Sequence, residues 1–415
     1  MNSEVSIIGG GIVGTLIALK LSDSGYNITI YESNKKLGGV LKDIENDSGL
    51  FLNGCKTLNA DTQHINNLLN IDSLNLKVFS HNYGSFTDMF GIDSISNDYA
   101  GPVFENKIDK DFNLNKKLPN LYERFLSYPK EVSSSLIKWF EKYNLDTKKI
   151  HPESASNISV GRIYFRSEEK KIINLKKKSE RANLIFGIPH NLLKKKLHNI
   201  SLPEKGYNGF FTELKKILTN KGINVKNLTS VKPIWKNKKK LLLNCKGKIF
   251  EPKKIIWTGN PTYLIKEYNS KKLDSFTFKV KVFWGNLKNN YNNIRPFYIN
   301  VYSRKTNIIR IFLYSLQNIP KISIETIDKD SKTSEIINFT RKILKRFNIG
   351  LQVDEKSFGS LYFTNYSIIS NKDRKIIEDF NFLTKNTNLI NGPWILHSID
   401  EKLKSFIDAI KKSRL

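Results

Sequence analysis

Val5-Ser6-Ile7-Ile8-Gly9-Gly10-Gly11-Ile12-Val13-Gly14 is the stretch that decides the fold. A short, mostly apolar run bounded by glycine reads as a buried parallel strand. Thr15 to Leu21 then carry Leu16, Ile17, Leu19 and Leu21 in a helix-compatible pattern without proline. Ser22-Asp23-Ser24-Gly25 closes that helix, with Gly25 suited to a left-handed terminal position. A second strand, Asn27 to Tyr31, ends at Glu32, which lies 18 residues after Gly14.

Each glycine has a separate physical task. Gly9 permits the tight turn, Gly11 lets the main chain approach a pyrophosphate, and Gly14 lets helix and strand pack closely. The helix start, with the N–H groups of Ile12 and Val13, offers donors and a partial positive charge to phosphates. Glu32 can accept hydrogen bonds from both hydroxyls of a ribose and would repel a 2′-phosphate. A bare G-x-G-x-x-G says little, but strand, turn, helix and acid in this order read as a dinucleotide site.

Past Glu32, Ser33-Asn34-Lys35-Lys36-Leu37-Gly38-Gly39-Val40 brings a second glycine pair. Here the chain resembles the flavoprotein superfamily of amine oxidases, phytoene desaturases, protoporphyrinogen oxidases and UDP-galactopyranose mutases. The resemblance implies FAD as cofactor, with Ser33, Gly38, Gly39 and Val40 beside its ribose and pyrophosphate. Gly49 to Gly54 resembles the superfamily's hairpin that passes near the flavin, although Cys55-Lys56-Thr57 lacks the histidine that galactopyranose mutases carry there. Pro203 to Gly209 resembles the segment leading back into the FAD unit, and a strand near Val231 corresponds to one whose main chain contacts adenine. Lys254 to Pro261, with Gly259, fits the strand and turn that follow. Asn388 to Gly392 resembles the carboxy-terminal strand and glycine, with Pro393 in place of the usual acid and a helix over 398–413 behind it.

The resemblance implies an α/β fold: a Rossmann-like FAD/NAD(P)-binding domain with a mixed antiparallel-sheet and helical substrate domain. The FAD domain is expected to be discontinuous, over 1–85, 195–265 and 375–415, leaving 86–194 and 266–374 as the substrate or cap domain. Val132 to Tyr143 has Leu136, Trp139, Phe140 and Tyr143 at helical spacing. Phe276–Trp284, Phe297–Tyr302 and Ile308–Tyr314 are rich in β-branched and aromatic residues, which predicts antiparallel strands, and Thr333 to Phe347 predicts a helix. Trp284, Phe297, Tyr298, Tyr302 and Tyr314 read as core and sheet-face packing.

Composition removes several classes. The chain has 415 residues, 39% hydrophobic, which is enough for a real core and two or three units. Two distant cysteines support neither a disulfide framework nor a zinc site, so a reducing, cytoplasmic setting is expected. No apolar run reaches the roughly 18 residues a membrane span needs, so a soluble protein is expected, with room for peripheral membrane contact. Residues 5–21 lack the flanks of a signal peptide. The net charge is +29, but the lysines are spread along the whole chain with abundant Asn and Ile, and no nucleic-acid module accompanies them. No nucleic-acid partner is expected. The six histidines show no metal-ligand spacing, and no metal site is predicted.

Only 11 of the 68 basic residues are arginine. Where lysine serves for any positive charge, a retained guanidinium marks a place where its planar fork matters. Arg162, Arg166, Arg295, Arg304 and Arg310 are therefore candidates for holding a small, anionic substrate. No nucleophile elbow or P-loop is present, so no catalytic side chain is named and the chemistry is assigned to the flavin. Three functions follow from the resemblance: an FAD-dependent oxidoreductase passing hydride from substrate to flavin N5; a mutase-like enzyme acting on a nucleotide sugar without net redox; and a non-catalytic GTPase escort on the same fold.

Overall fold

A computed structural model describes residues 4–80, 82–104, 115–157, 163–165, 169–187, 199–274, 276–288, 294–327, 330–395 and 399–412. The amino-terminal pattern folds as β1 (Glu4–Ile8), α1 (Ile12–Ser22) and β2 (Asn27–Tyr31). These strands lie in a five-stranded sheet in the order Asn224–Lys226, β2, β1, Lys254–Trp257, Leu389–Ile390, with every pair parallel. Numbered along the chain the order is 3-2-1-4-5, so the direction of winding reverses at β1 and opens a crevice beyond the carboxyl ends of the strands. β1 is central, and Val5 and Ile7 are fully buried, as expected for a strand covered on both faces. An antiparallel meander, Val231–Lys236, Lys240–Cys245 and Lys248–Phe250, joins the third and fourth strands of this sheet.

The second sheet is larger. Its main path runs Gln352–Val353, Phe276–Lys288, Ile319–Thr326, Ile308–Leu316, Phe297–Tyr302, Asn82–Thr87, Ser94–Ser96, and Gly359–Ile368 pairs with the long strand as well. The three segments expected as antiparallel strands are all present. The sheet is mixed because Phe297–Tyr302 runs parallel to Asn82–Thr87. The strand Ile319–Thr326, which the sequence reading did not single out, separates two of the expected ones.

Alternation gives this sheet two unlike faces. Ile311 and Leu313 on one strand, with Ile322 and Ile324 on its neighbour, point to the helix Thr333–Arg346 and form a dry core. The intervening residues, Arg310, Phe312 and Tyr314 beside Lys321, Ser323 and Glu325, point the other way and are also buried. That polar face lies under the hairpin of β3 (Asp43–Asn46) and β4 (Gly49–Leu52). The hairpin thus joins the parallel sheet to the larger one. Phe312, Tyr314 and Leu316 share a core cluster with Ile7, Ile17 and Phe211, so the two sheets are packed through common side chains.

The helix Lys130–Lys142 buries Val132, Leu136, Trp139 and Phe140, three of the four positions expected at helical spacing plus Val132. The carboxy-terminal helix Ile399–Lys412 buries Leu403, Phe406 and Ile410. Among the described residues no helix is long and apolar enough to cross a membrane.

Candidate functional site

The crevice at the carboxyl end of β1 is built almost entirely from main chain. Gly9 has a φ of 108°, closed to most side chains, and a Cβ there would meet Thr258 Oγ1 at 2.6 Å. Thr258 Oγ1 donates to the carbonyls of Ile8 and Gly9, at 2.9 and 3.2 Å, and so locks the fourth strand's turn, with Gly259, against the first turn. Gly14 faces the Gly9 carbonyl so closely that a Cβ would stand 2.1 Å from its oxygen. Gly11 is the N-cap of α1, with no side-chain cap and no acidic residue in the first turn. Among the described residues no side chain accepts from the opening N–H groups of that helix, which lack intrahelical acceptors.

The second glycine pair closes against the first. Gly38 N–H donates to the Gly10 carbonyl at 2.9 Å, Gly38 bridges to Gly11, and a Cβ on Gly39 would approach Gly11 Cα at 3.2 Å. Two stretches nearly 30 residues apart thus present bare backbone to one space. Val40, the next residue, is 65% exposed.

Glu32 sits at the end of β2 with only 4% of its surface exposed. Its Oε2 accepts the Gly10 N–H at 2.8 Å, and its Oε1 accepts the Asn34 N–H at 2.8 Å, the Asn34 amide at 2.6 Å and the Ser33 hydroxyl at 3.3 Å. The carboxylate is held in place by the turn it would serve. Since a carboxylate has about four acceptor positions, Oε2 keeps capacity for a ribose hydroxyl, while Oε1 would exchange a side-chain donor for a second one. The main chain of 226–229 runs alongside, Thr229 N–H donating to the Glu32 carbonyl at 2.8 Å, and this brings Val231 to the same end of the sheet. Gly392 is packed instead of open: a Cβ there would meet the Trp394 ring at 2.7 Å and Phe406 at 2.9 Å.

On the far side of the glycine pair stands the turn after β4. Cys55 N–H donates to Glu325 Oε1 at 3.0 Å, and Glu325 Oε2 accepts from Arg310 Nη1 at 3.1 Å. Gly54 is needed there, because its φ is 85° and a Cβ would stand 2.6 Å from Glu325 Oε1. Burial pushes the Cys55 thiol well up, and nearby Glu325 adds to that. Burial likewise raises the Tyr298 phenol, against Arg310, which lowers it. Asp43 accepts the N–H groups of Tyr207 and Asn208 and so caps the helix Gly206–Asn220 from another element; burial pushes its carboxyl up to about 6 despite those two donors.

The arginine candidates do not come together among the described residues. Arg310 is buried against Glu325. Arg295 and Arg304 are exposed and flank opposite ends of the strand Phe297–Tyr302, which alone spans roughly 16 Å at about 3.3 Å per residue. Arg295 borders two adjoining surface hollows, and Arg304 donates to Ser135 Oγ at 2.6 Å. Arg162 and Arg166 lie outside the described residues. Sequence reading passed over Asp43, Lys56 and Glu325. Glu325 carried one readable signal, a lone acid in the otherwise alternating Ile-Ser-Ile-Glu-Thr strand. Asp43 and Lys56 carried none, since their roles depend on partners far along the chain.

Comparison with known proteins places this geometry. Residues 7–71 match the NAD(P)-binding Rossmann-like domain. Over 74 residues the chain is 34% identical to the mitochondrial protoporphyrinogen oxidase of Nicotiana tabacum, a match covering 18% of this chain and 14% of that protein. Across its whole length the chain superposes on reduced UDP-galactopyranose mutase, with a TM-score of 0.65 at 13% identity over 96% of that chain. It shares the fold of that enzyme. A putrescine oxidase bound to putrescine is also similar, with a TM-score of 0.55 at 10% identity, covering all of both chains. The α/β architecture expected from the amino-terminal resemblance, a Rossmann-like unit joined to a mixed sheet with helices, is the one observed.

Proposed function

We propose that the chain binds FAD in the crevice of Gly9–Gly14, Glu32 and Gly38–Val40 and acts as an FAD-dependent oxidoreductase. The observation that carries this reading is the uncapped start of α1, facing a second glycine pair and flanked by a buried acid at the end of β2. In it Gly11, Ile12 and Val13 hold the pyrophosphate, Glu32 with Ser33 holds the adenosine ribose, and Gly259 and the Val231 segment border the rest. Gly392 keeps the carboxy-terminal helix packed close by. The FAD unit is assembled from 1–85, 195–265 and 375–415, and the remainder forms the substrate side. When bound, the flavin supplies the hydride acceptor, through N5. The chain's own residues bind and orient: the large sheet's inner face, with Arg310, Tyr298 and Tyr314, closes the far wall and keeps water out. The partner is a small molecule, and two free thiols suit a cytoplasmic setting.

Anaerobic mixing of the FAD-loaded protein with putrescine, protoporphyrinogen and UDP-galactopyranose tests the chemistry. Bleaching of the flavin bands by an amine or a porphyrinogen is the expected result. Turnover of the nucleotide sugar that requires prior reduction, with no net redox, would replace the oxidoreductase reading with the mutase one.

A further inference from the structure

Lys56 occupies a position that only the folded chain reveals. Its main chain is fixed from two sides: the preceding Cys55 N–H is tied to Glu325, and the Lys56 carbonyl accepts the Tyr207 hydroxyl at 3.1 Å. From there the side chain crosses to the second glycine motif, where Nζ donates to the Val40 carbonyl at 3.0 Å. Holding a lysine in one place costs rotamer freedom. Burial lowers its pKa here; Glu325 and Cys55 act in the opposite sense, and Lys42 and Arg310 add to the lowering. The ammonium thus lies at the main chain of Val40, an apolar residue that is 65% exposed.

The direction of a bound dinucleotide follows from the two ends of the crevice. With its adenosine ribose at Glu32 and its pyrophosphate at the start of α1, its second half must leave past Gly39 and Val40 toward Lys56. We propose that Lys56 supplies positive charge to the flavin end of bound FAD, over the apolar support of Val40, and thereby favours the reduced, anionic flavin over the oxidised one. This inference rests on the FAD-binding reading above.

The test compares holoprotein of the wild type with Lys56→Gln, Lys56→Met and Lys56→Arg by dye-equilibrated reduction, together with titration of ADP, which carries only the adenosine and phosphate part. Lys56→Gln and Lys56→Met are expected to weaken binding of reduced relative to oxidised FAD about tenfold, which for a two-electron couple lowers the midpoint by about 30 mV. Lys56→Arg should restore most of the potential, and ADP affinity should not change. If Lys56→Gln and Lys56→Met retain FAD at the wild-type potential, Lys56 is a structural tie and the inference fails alone. If ADP affinity and both redox forms weaken together, the charge serves the pyrophosphate and the inference also fails. A wild-type chain that takes up no FAD removes this inference and the proposed function together.

Discussion

Replacing Gly14 with valine is expected to lower folding stability by about 3 kcal/mol or more and to abolish dinucleotide binding. A Cβ at this position would lie 2.1 Å from the Gly9 carbonyl oxygen and 3.2 Å from Thr258 Oγ1. Neither obstacle can rotate away cheaply: the first is backbone, and the second is tied to the Ile8 and Gly9 carbonyls. The only relief is to lift α1 off β1, which carries Gly11 and the helix start away from the crevice. Gly350→Ala provides the comparison, because nothing stands within 4 Å of a Cβ there. Urea unfolding of the two variants should show a large loss for the first and less than about 1 kcal/mol for the second. Equal stabilities would mean that helix and strand are not in the contact described.

The second large effect concerns Arg310 and Glu325. They face each other on neighbouring strands, with 10% and 0% of their side chains exposed. Removing one partner from a buried pair leaves an uncompensated charge and costs about 3–5 kcal/mol, whereas replacing both with apolar groups is often close to neutral. Glu325→Leu and Arg310→Met should therefore each destabilise strongly, and the double variant should recover most of the loss. Recovery will fall short by about 1 kcal/mol, because Glu325 also accepts the Cys55 N–H and leucine leaves that donor unpaired. A thermodynamic cycle in which the two single losses simply add would contradict the pairing. The result also bears on substrate recognition, since a guanidinium already committed to Glu325 has fewer donors to offer an anion.

What the sequence disclosed and what it withheld divide by distance along the chain. β1, α1 and β2 could be read because the strand, glycine turn, helix and acid all fall within 28 residues, and their meaning is local. Strands of the large sheet were legible too, since Phe276–Trp284, Phe297–Tyr302 and Ile308–Tyr314 are rich in β-branched and aromatic residues. The sheet's polar face was not. Arg310 reads as a solvent- or ligand-facing charge until Glu325, 15 residues on, is placed opposite it. The same holds for Asp43, which looks like any hairpin acid and caps a helix that begins at Gly206. Lys56 vanishes among its many fellow lysines until Val40, Tyr207 and Glu325 surround its segment. Period and spacing report what an element is, whereas these side chains acquire a role only from elements the chain reaches much later.

Adding FAD to the purified chain and to Glu32→Ala, with flavin absorbance and fluorescence as the readout, shows whether the proposed crevice of the first forty residues takes the cofactor. One equivalent bound by the wild type, with a shifted flavin spectrum and an affinity that falls about 100-fold in Glu32→Ala, is the predicted result. A wild-type chain that leaves the added flavin free in solution, with its spectrum unchanged, would contradict the account.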